Sequence, residues 1–335
     1  AETAEPELNG PDQVAWRDRL DAELDNVRTA VVWSQADPSR SELGLRLAAA
    51  LVRHWMTSGL YAEGFRALAA GLRAGGAMKP RVRIKALNAA GQLIQLQHEF
   101  ERATLLLEES LALAQAEGDE HGVAAALSLL GETAAFQGDF PRATALLEDS
   151  LARQRQLGDR LGTHHTLYRL AESATAQRKL DLATSLHEQS LAMRREMGDL
   201  RGSATCLKCL GDLALERGDH AEASEHYREA VAIYRTVKLK LGIVGCVEGL
   251  SGIALATNQP HTAARLLGAV EATVELMGAT FHWGARARFE RDLAAARARL
   301  DEGAFQAARA EGRSMSLEQA IAAALGESEL TGPTP

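Results

Sequence analysis

Apolar residues recur at intervals of three and four positions along most of the chain, as Leu127, Leu130 and Ala134 show. This spacing places them along one face of an α-helix. Gly138 and Asp139 follow directly. Glycine adopts the left-handed conformation that ends many helices, and aspartate can cap the next helix by accepting a backbone N–H. The pattern therefore predicts amphipathic helices that are joined in pairs by tight turns.

The helical pattern repeats every 40 residues. One position of the repeat is alanine in five successive units, and another is glycine in four. These positions are Ala103, Ala143, Ala183, Ala223 and Ala263, and Gly122, Gly162, Gly202 and Gly242. A single hairpin cannot bury its own apolar stripe, whereas stacked hairpins can. We therefore predict an all-α fold, a right-handed superhelix of stacked helical hairpins with a concave inner face.

Small residues occupy the position at which the two helices of a hairpin are expected to cross. Gly131 and Ala143 hold this position in one unit, and Gly91 and Gly211 are the equivalents of Gly131 in two others. A larger side chain there would push the helix axes apart, and overpacking of this kind costs about 1–3 kcal/mol. These glycines are therefore predicted to lie at tight contacts between helices.

The same pattern divides the chain into segments. Trp16–Trp33 has the period of one amphipathic helix, and Leu43–Arg73 has that of a less regular hairpin. In the last repeat Ser251 replaces the glycine. We predict a linker at 1–11, an N-terminal helical segment at 12–40, a degenerate hairpin at 41–80, five repeats at 81–278, C-terminal capping helices at 279–326 and a flexible tail at 327–335.

The repeat resembles the tetratricopeptide repeat. Leu127, Leu130, Gly131 and Ala143 match the fourth, seventh, eighth and twentieth positions of that family's repeat. The unit is longer than the family's repeat of about 34 residues, and the connection Gly158–Gly162 accommodates the surplus. In tetratricopeptide arrays the first helix of each hairpin lines the concave face. The resemblance therefore implies a binding surface on these first helices.

Stretches at both ends resemble a larger architecture. Glu5–Trp33, Ala264–Ala279, Arg288–Phe305 and Glu311–Leu325 look like the beginning and the close of the repeat region in bacterial signal-transduction ATPases of the maltotriose-activator type. Such regulators place a nucleotide-binding module and a winged helix before the repeats, and many carry a LuxR-type DNA-binding domain after them. The resemblance implies a cytoplasmic sensor segment that is tethered to nucleotide-binding and DNA-binding domains.

This chain itself lacks the sequence motifs of those attached domains. It contains no GxxxxGK[ST] phosphate loop and no recognisable helix-turn-helix after Leu325. Its formal net charge is −8, which disfavours contact with a phosphate backbone. No apolar run reaches the roughly 18 residues that span a bilayer. We therefore expect neither direct nucleic-acid contact nor membrane insertion by this segment.

Cysteine and histidine provide the candidate metal ligands. Cys206 and Cys209 form a CxxC, but Cys206 and Cys246 occupy the repeat position of Ala86 and Ala126, so we interpret them as packing residues. Three cysteines do not suggest a disulfide framework, which favours a reducing compartment. The sequence contains no HExxH and no GxSxG. We predict no metal, no cofactor and no catalytic residue, hence a protein that is not an enzyme.

The repeat register gives the candidate ligand-binding residues. They lie at inward positions of the first helices and carry amides, carboxylates, hydroxyls and rings, which suit a protein, a peptide or a small polar effector. Solvated residues without a partner are the alternative interpretation, and a freestanding scaffold is the alternative function. The candidates are Asn88, Gln92, Gln95, Ser128, Glu132, Phe136, His165, Tyr168, Glu172, Thr205, Lys208, Asp212, Glu216 and Glu248.

Overall fold

The regular secondary structure of the chain is helical, as predicted. The computed structural model describes residues 1–74, 78–277 and 283–326, and these residues form α-helices and one 3-10 turn, with no strand. The chain divides into two compact units, Ala1–Asp199 and Leu200–Pro335, which we call unit 1 and unit 2. The predicted tail at 327–335 lies outside the described residues.

The N-terminal part of unit 1 differs from the sequence prediction at two points. The stretch 1–11 is not a linker, because it contains a short helix and its side chains Ala4 and Leu8 are buried. The expected single helix breaks at Glu23, where the backbone φ and ψ angles are −95° and 3°. Glu23 is exposed, so the break leaves the pattern of apolar residues unchanged and could not be predicted from it. The helices are α1 (Ala4–Glu7), α2 (Gln13–Ala22) and α3 (Leu24–Gln35), followed by the 3-10 turn Pro38–Arg40.

A less regular hairpin follows. Its first helix is interrupted at Leu51, and its turn contains Gly59 with a φ of +72°. Gly64 lets the second helix approach Trp55, since a Cβ on Gly64 would overlap the Trp55 ring. Ala4 and Leu8 pack against this hairpin in one apolar cluster. The hairpin comprises α4 (Ser41–Ala50), α5 (Val52–Thr57) and α6 (Tyr61–Arg73).

Three regular hairpins complete unit 1. Gly118 and Gly158 end second helices with φ values of +66° and +67°. Asp119 accepts a hydrogen bond from the backbone N–H of Gly122 at 3.1 Å, and Asp139 accepts one from that of Arg142 at 3.2 Å, which confirms the predicted cap at Asp139. The hairpins are α7 (Pro80–Gln95) with α8 (Phe100–Glu117), α9 (Glu120–Phe136) with α10 (Phe140–Leu157), and α11 (Arg160–Ala176) with α12 (Leu180–Met197).

The described residues of unit 2 form two further hairpins and three C-terminal helices. Gly268 and Gly312 allow helices of this unit to touch through their backbones, since a Cβ on Gly312 would overlap the carbonyl of Arg265. The hairpins are α13 (Leu200–Arg217) with α14 (His220–Thr236), and α15 (Lys240–Ala256) with α16 (Pro260–Leu276). The remaining helices are α17 (Trp283–Ala298), α18 (Glu302–Ser314) and α19 (Leu317–Leu325).

The predicted glycines lie at the helix crossings of their hairpins. A Cβ on Gly131 would lie 2.7 Å from Cγ of Leu147, and a Cβ on Gly91 would lie 2.7 Å from Cγ of Leu107. In unit 2, a Cβ on Gly211 would meet the Tyr227 ring at 2.7 Å. Real Cβ contacts are not this short, so a larger residue at any of these three positions would force its neighbours to shift. These close approaches confirm the repeat register within each unit.

Candidate functional site

The first helices α7, α9 and α11 form the candidate binding surface of unit 1, which we call the first-helix face. The structure places the predicted residues there at three depths. Gln95, Ser128 and Glu132 are buried, and Phe136 is exposed. The half-buried residues are Asn88, Gln92, His165, Tyr168 and Glu172.

The buried members cannot meet a ligand directly, which corrects the sequence prediction for them. Ser128 lies beneath the surface because its hydroxyl is 2.9 Å from that of Thr166 on the next first helix. Glu132 is only 4% exposed and faces an arginine of the neighbouring helix. These side chains join adjacent hairpins. Ligand contact is left to the half-buried and exposed residues.

A row of carboxylates with an intervening cation forms the centre of the first-helix face. Glu132 and Glu172 occupy the same repeat position on α9 and α11. The Arg169 guanidinium lies between them, with Nη2 2.6 Å from Glu132 Oε1 and Nη1 2.7 Å from Glu172 Oε2. Sequence reasoning missed Arg169, although its spacing of three from Glu172 is a signal for a helical ion pair. The row is preorganised because Arg169 fixes both carboxylates.

Aromatic rings also contribute to the first-helix face. The Tyr168 hydroxyl donates a hydrogen bond to Glu172 at 3.0 Å. The guanidinium groups of Arg169 and Arg194 lie 5.4 Å and 5.6 Å from the Tyr168 ring centre, within cation–π range. Phe136 is 39% exposed and stacks on Phe100 with ring centres 5.8 Å apart. The face therefore combines negative charge with rings that are held in place.

Burial changes the protonation of two groups on this face. Burial raises the pKa of Glu132 to about 6, although Arg169 opposes the shift. Burial, together with the positive charge of Arg169, holds the pKa of His165 well below its ordinary value, so the imidazole is neutral at pH 7. The charges offered to a ligand at neutral pH are therefore carboxylates and arginines.

The Glu132→Gln variant should show a different dependence of stability on pH. In the folded chain Glu132 has a pKa of about 6, above its ordinary 4.5, so the folded state binds the proton more tightly. Its contribution to stability is therefore fully present below pH 4.5 and falls by roughly 2 kcal/mol as the pH rises through about 6 to about 7. Urea unfolding of both chains across this range measures the difference. If the free energies of unfolding of the two chains changed with pH in the same way, the raised pKa of Glu132 would be contradicted.

Unit 2 carries its own candidates on α13 and α15. Glu248 is buried, Glu216 is exposed, and Thr205, Lys208 and Asp212 are half-buried. The predicted access to Glu248 is therefore wrong, because its carboxylate is covered by a helix outside the repeats. That helix is α17.

Charged groups of unit 2 are joined into one cluster. Lys208 Nζ lies 2.7 Å from Asp212 Oδ2, and the Tyr227 hydroxyl donates to Asp212 Oδ1 at 2.7 Å. Arg288 from α17 pairs with Asp212 at 3.0 Å and with Glu248 at 2.9 Å. Burial alone would raise the pKa of Asp212, but Lys208 and Arg288 outweigh it and hold that pKa below its ordinary value. Asp212 is therefore ionised within this cluster.

The cysteines serve as small packing residues. Cys206 and Cys246 are both 0% exposed, like Ala86 and Ala126 at the same repeat position. Burial raises the pKa of the Cys246 thiol, so it stays protonated at neutral pH. Within residues 1–74, 78–277 and 283–326, no group of three or more histidine, cysteine and acidic side chains is placed to hold a metal. Across these same ranges, none of the helices combines the length and apolar character of a membrane span.

Comparison with known families agrees with this geometry. The family model of the tetratricopeptide repeat matches residues 82–156 and 162–236. The model thus detects tetratricopeptide repeats in these two segments, where the register of Gly131 and Ala143 indicated them. No curated protein sequence matches the chain.

Solved structures with the same kind of fold include three informative relatives. BtubC (BKLC) from P. vanneervenii matches with a TM-score of 0.51 and 18% identity, over 68% of this chain and 91% of that one. Aspartyl phosphate phosphatase F from Bacillus subtilis gives 0.58 and 12%, over 94% and 77%. The Rap conjugation gene regulator of plasmid pLS20, in complex with the Phr* peptide, gives 0.55 and 10%, over 78% and 76%. At these identities the likeness shows a shared helical-repeat fold.

Proposed function

We propose that the chain is a binding module that holds a peptide or protein segment against the first-helix face of unit 1. The observation that carries this proposal is the set of half-buried polar side chains on α7 and α11, which flank α9 in the series of first helices. Gln92 on α7 and Glu172 on α11 occupy the same repeat position, and Tyr168 is fixed beside Glu172. Partly exposed and preorganised groups of this kind suit recognition, because little ordering is left to the moment of binding.

An extended peptide fits the spacing of this row. Packed helices lie roughly 8–10 Å apart, and an extended chain advances about 3.3 Å per residue, so about three peptide residues would pass each first helix. The Asn88 and Gln92 amides can donate to and accept from a peptide backbone.

Glu172 gives the face a preference among side chains. Its side chain is 42% exposed, even though its carboxylate is paired with Arg169 and Tyr168. An exposed oxygen in this position favours a cationic or hydrogen-bond-donating ligand group. The complex of the Rap regulator with the Phr* peptide supports the proposal, because it pairs a related fold with a peptide.

The wider role that we propose is that of a non-catalytic sensor in a bacterial transcription regulator. The terminal stretches Glu5–Trp33 and Glu311–Leu325 support it through their resemblance to signal-transduction ATPases. In this role the segment acts in the cytoplasm, makes no nucleic-acid contact itself and controls tethered nucleotide-binding and DNA-binding domains. Sequencing the neighbouring coding region tests this role. The absence of both a phosphate loop upstream and a helix-turn-helix downstream would refute it.

A freestanding scaffold is the second candidate. The match to the tetratricopeptide model over 82–156 and 162–236 favours it, because these repeats alone form the proposed surface. Such a scaffold would retain a protein partner under native conditions without an attached nucleotide-binding domain. A small polar effector, detected by calorimetry in place of a peptide, would argue for the sensor instead.

The Glu172→Ala variant should bind peptides more weakly than the parent chain. We expect an array of short unbiased peptides to capture the parent chain, and affinity for the best peptide to fall roughly tenfold in the variant, since a hydrogen bond to a charged group contributes about 1.5–3 kcal/mol. The matched control is Glu188→Ala, which removes an exposed carboxylate from α12. Equal losses in both variants, or no captured peptide, would refute the proposed surface.

A further inference from the structure

Arg288 occupies the part of unit 2 at which the sequence predicted a ligand. Its Nη1 lies 3.0 Å from Asp212 Oδ1 and its Nε lies 2.9 Å from Glu248 Oε1. Asp212 and Glu248 belong to the first helices α13 and α15, whereas Arg288 belongs to α17, outside the repeats. The guanidinium therefore bridges two first helices in the way that a ligand side chain would.

The repeats of unit 2 have no arginine at the position of Arg169, and Lys208 of α13 pairs with Asp212 at 2.7 Å. In unit 1, Arg169 on a first helix neutralises the carboxylates. The equivalent positions in unit 2 hold Cys209 and Gly249. Glu248 is only 2% exposed, and a buried carboxylate requires a cationic partner. Arg288 provides that partner from α17.

The two halves of α17 are held in different ways. Between residues 286 and 292 the buried side chains are Phe289 and Asp292, and burial raises the pKa of the Asp292 carboxyl. In the second half, Ala296 belongs to an apolar cluster with Phe305. The first half is therefore held by the buried Phe289 ring together with the ion pairs of Arg288. Ion pairs can be exchanged for equivalent pairs with a competitor, whereas apolar packing is lost on release.

The geometry of the acceptors favours a guanidinium. Two carboxylates on different helices receive two different nitrogens of Arg288. The planar fork of arginine presents such nitrogens together, whereas lysine offers a single point charge. The Tyr227 hydroxyl donates to Asp212 at 2.7 Å and holds that carboxylate in place. The acceptors are therefore arranged for arginine.

We propose that the first half of α17 is an exchangeable strap, in which Arg288 fills a guanidinium site until an arginine-bearing segment of a protein partner displaces it. The site consists of Asp212 and Glu248, with Tyr227 as their support. The inference rests on the proposed function in one respect, that the partner is a polypeptide. It concerns unit 2, so its test is separate from the test of the unit 1 face.

A labelled synthetic peptide with the sequence of α17 provides the probe. We expect it to bind the full-length Arg288→Ala chain at least about tenfold more tightly than the parent chain, because the tethered competitor in the parent acts at an effective concentration on the order of millimolar. Fluorescence anisotropy measures both affinities. The matched control is Arg286→Ala on the same helix, since Arg286 is exposed and pairs with Glu290. This control should behave as the parent chain does.

The peptide itself carries a second control. A peptide with alanine in place of Arg288 should bind every chain weakly. Equal affinity of the α17 peptide for the parent and Arg288→Ala chains would overturn the strap, as would failure to bind an Arg288→Ala chain with unchanged circular dichroism. If that variant unfolds, Arg288→Lys decides: tighter binding than to the parent supports the strap, and equal binding overturns it. Failure of the peptide array at Glu172 would leave these outcomes unaffected.

Discussion

The Gly131→Leu variant is expected to melt well below the parent chain. Gly131 lies at the crossing of α9 and α10, where a Cβ would stand 2.7 Å from Leu147 Cγ and 3.2 Å from the Ala143 carbonyl oxygen. The carbonyl belongs to the backbone and cannot move aside. Spreading the helices also removes contacts with the hairpins on either side, so we expect a loss of about 3 kcal/mol or more. For a unit of this size that corresponds to roughly 5–10 °C in Tm.

The control for this prediction is Ala145→Leu. Ala145 is exposed on α10, and the equivalent residue of the preceding hairpin is Leu105, which is 68% exposed. The repeat therefore already tolerates leucine at this position. Differential scanning calorimetry should show a Tm close to that of the parent chain for Ala145→Leu. A Gly131→Leu chain that melts within 1 °C of the parent would show that the hairpin crossing has been assigned wrongly.

The Asp199→Ala variant should produce the second large effect. Asp199 is 0% exposed and accepts a hydrogen bond from Arg194 Nη1 at 2.7 Å. Arg194 is 6% exposed, so its guanidinium would remain buried after its carboxylate is removed. Breaking a buried pair in this way typically costs about 3–5 kcal/mol. The free energy of unfolding, measured by urea titration, should fall by that amount.

An exposed ion pair of the same hairpin gives the comparison. Arg160 and Glu196 pair at the surface, with side-chain exposures of 55% and 66%. Glu196→Ala should therefore change stability by less than about 1 kcal/mol. The double variant Arg194→Met with Asp199→Ala should recover part of the loss, because no buried charge is then left unpaired. Equal effects of Asp199→Ala and Glu196→Ala would contradict the assigned role of burial.

The repeat made much of the fold predictable. Gly91, Gly131 and Gly211 lie at crossings because each recurrence of 40 residues repeats the same packing constraint. Periodicity also located the first helices and hence most of the candidate surface. The burial of each candidate side chain was harder to predict. Glu132 and Glu248 hold inward positions, yet they are buried under partners from other helices.

The sequence did not reveal the interactions of residues that do not recur from one repeat to the next. Arg169 stands where Leu129 and Cys209 stand in neighbouring repeats, and Arg288 lies outside the repeats. Their partners are set by the packing of distant segments, which no local spacing encodes. The same holds for Glu5 in the N-terminal segment, which pairs with Lys85 of α7 at 2.5 Å.

The role of one recurring residue became clear only in the structure. A serine recurs in the second helices of unit 1, within a stretch that otherwise has the composition of a solvated face. The structure shows that each hydroxyl is buried and donates to a backbone carbonyl of the first helix in the same hairpin. The pairs are Ser110 with Ile84 at 3.2 Å, Ser150 with Ala124 at 2.7 Å and Ser190 with His164 at 2.8 Å.

Photo-crosslinking tests most directly whether the first-helix face of unit 1 is the binding surface. A photoreactive residue would replace Gln92 on α7 or, as the comparison, Glu108 on the outward side of α8 in the same hairpin. The probe is the best peptide from the array. The account predicts that the peptide is crosslinked from position 92 and not from position 108. Crosslinking from position 108 alone, or from neither position, would contradict it.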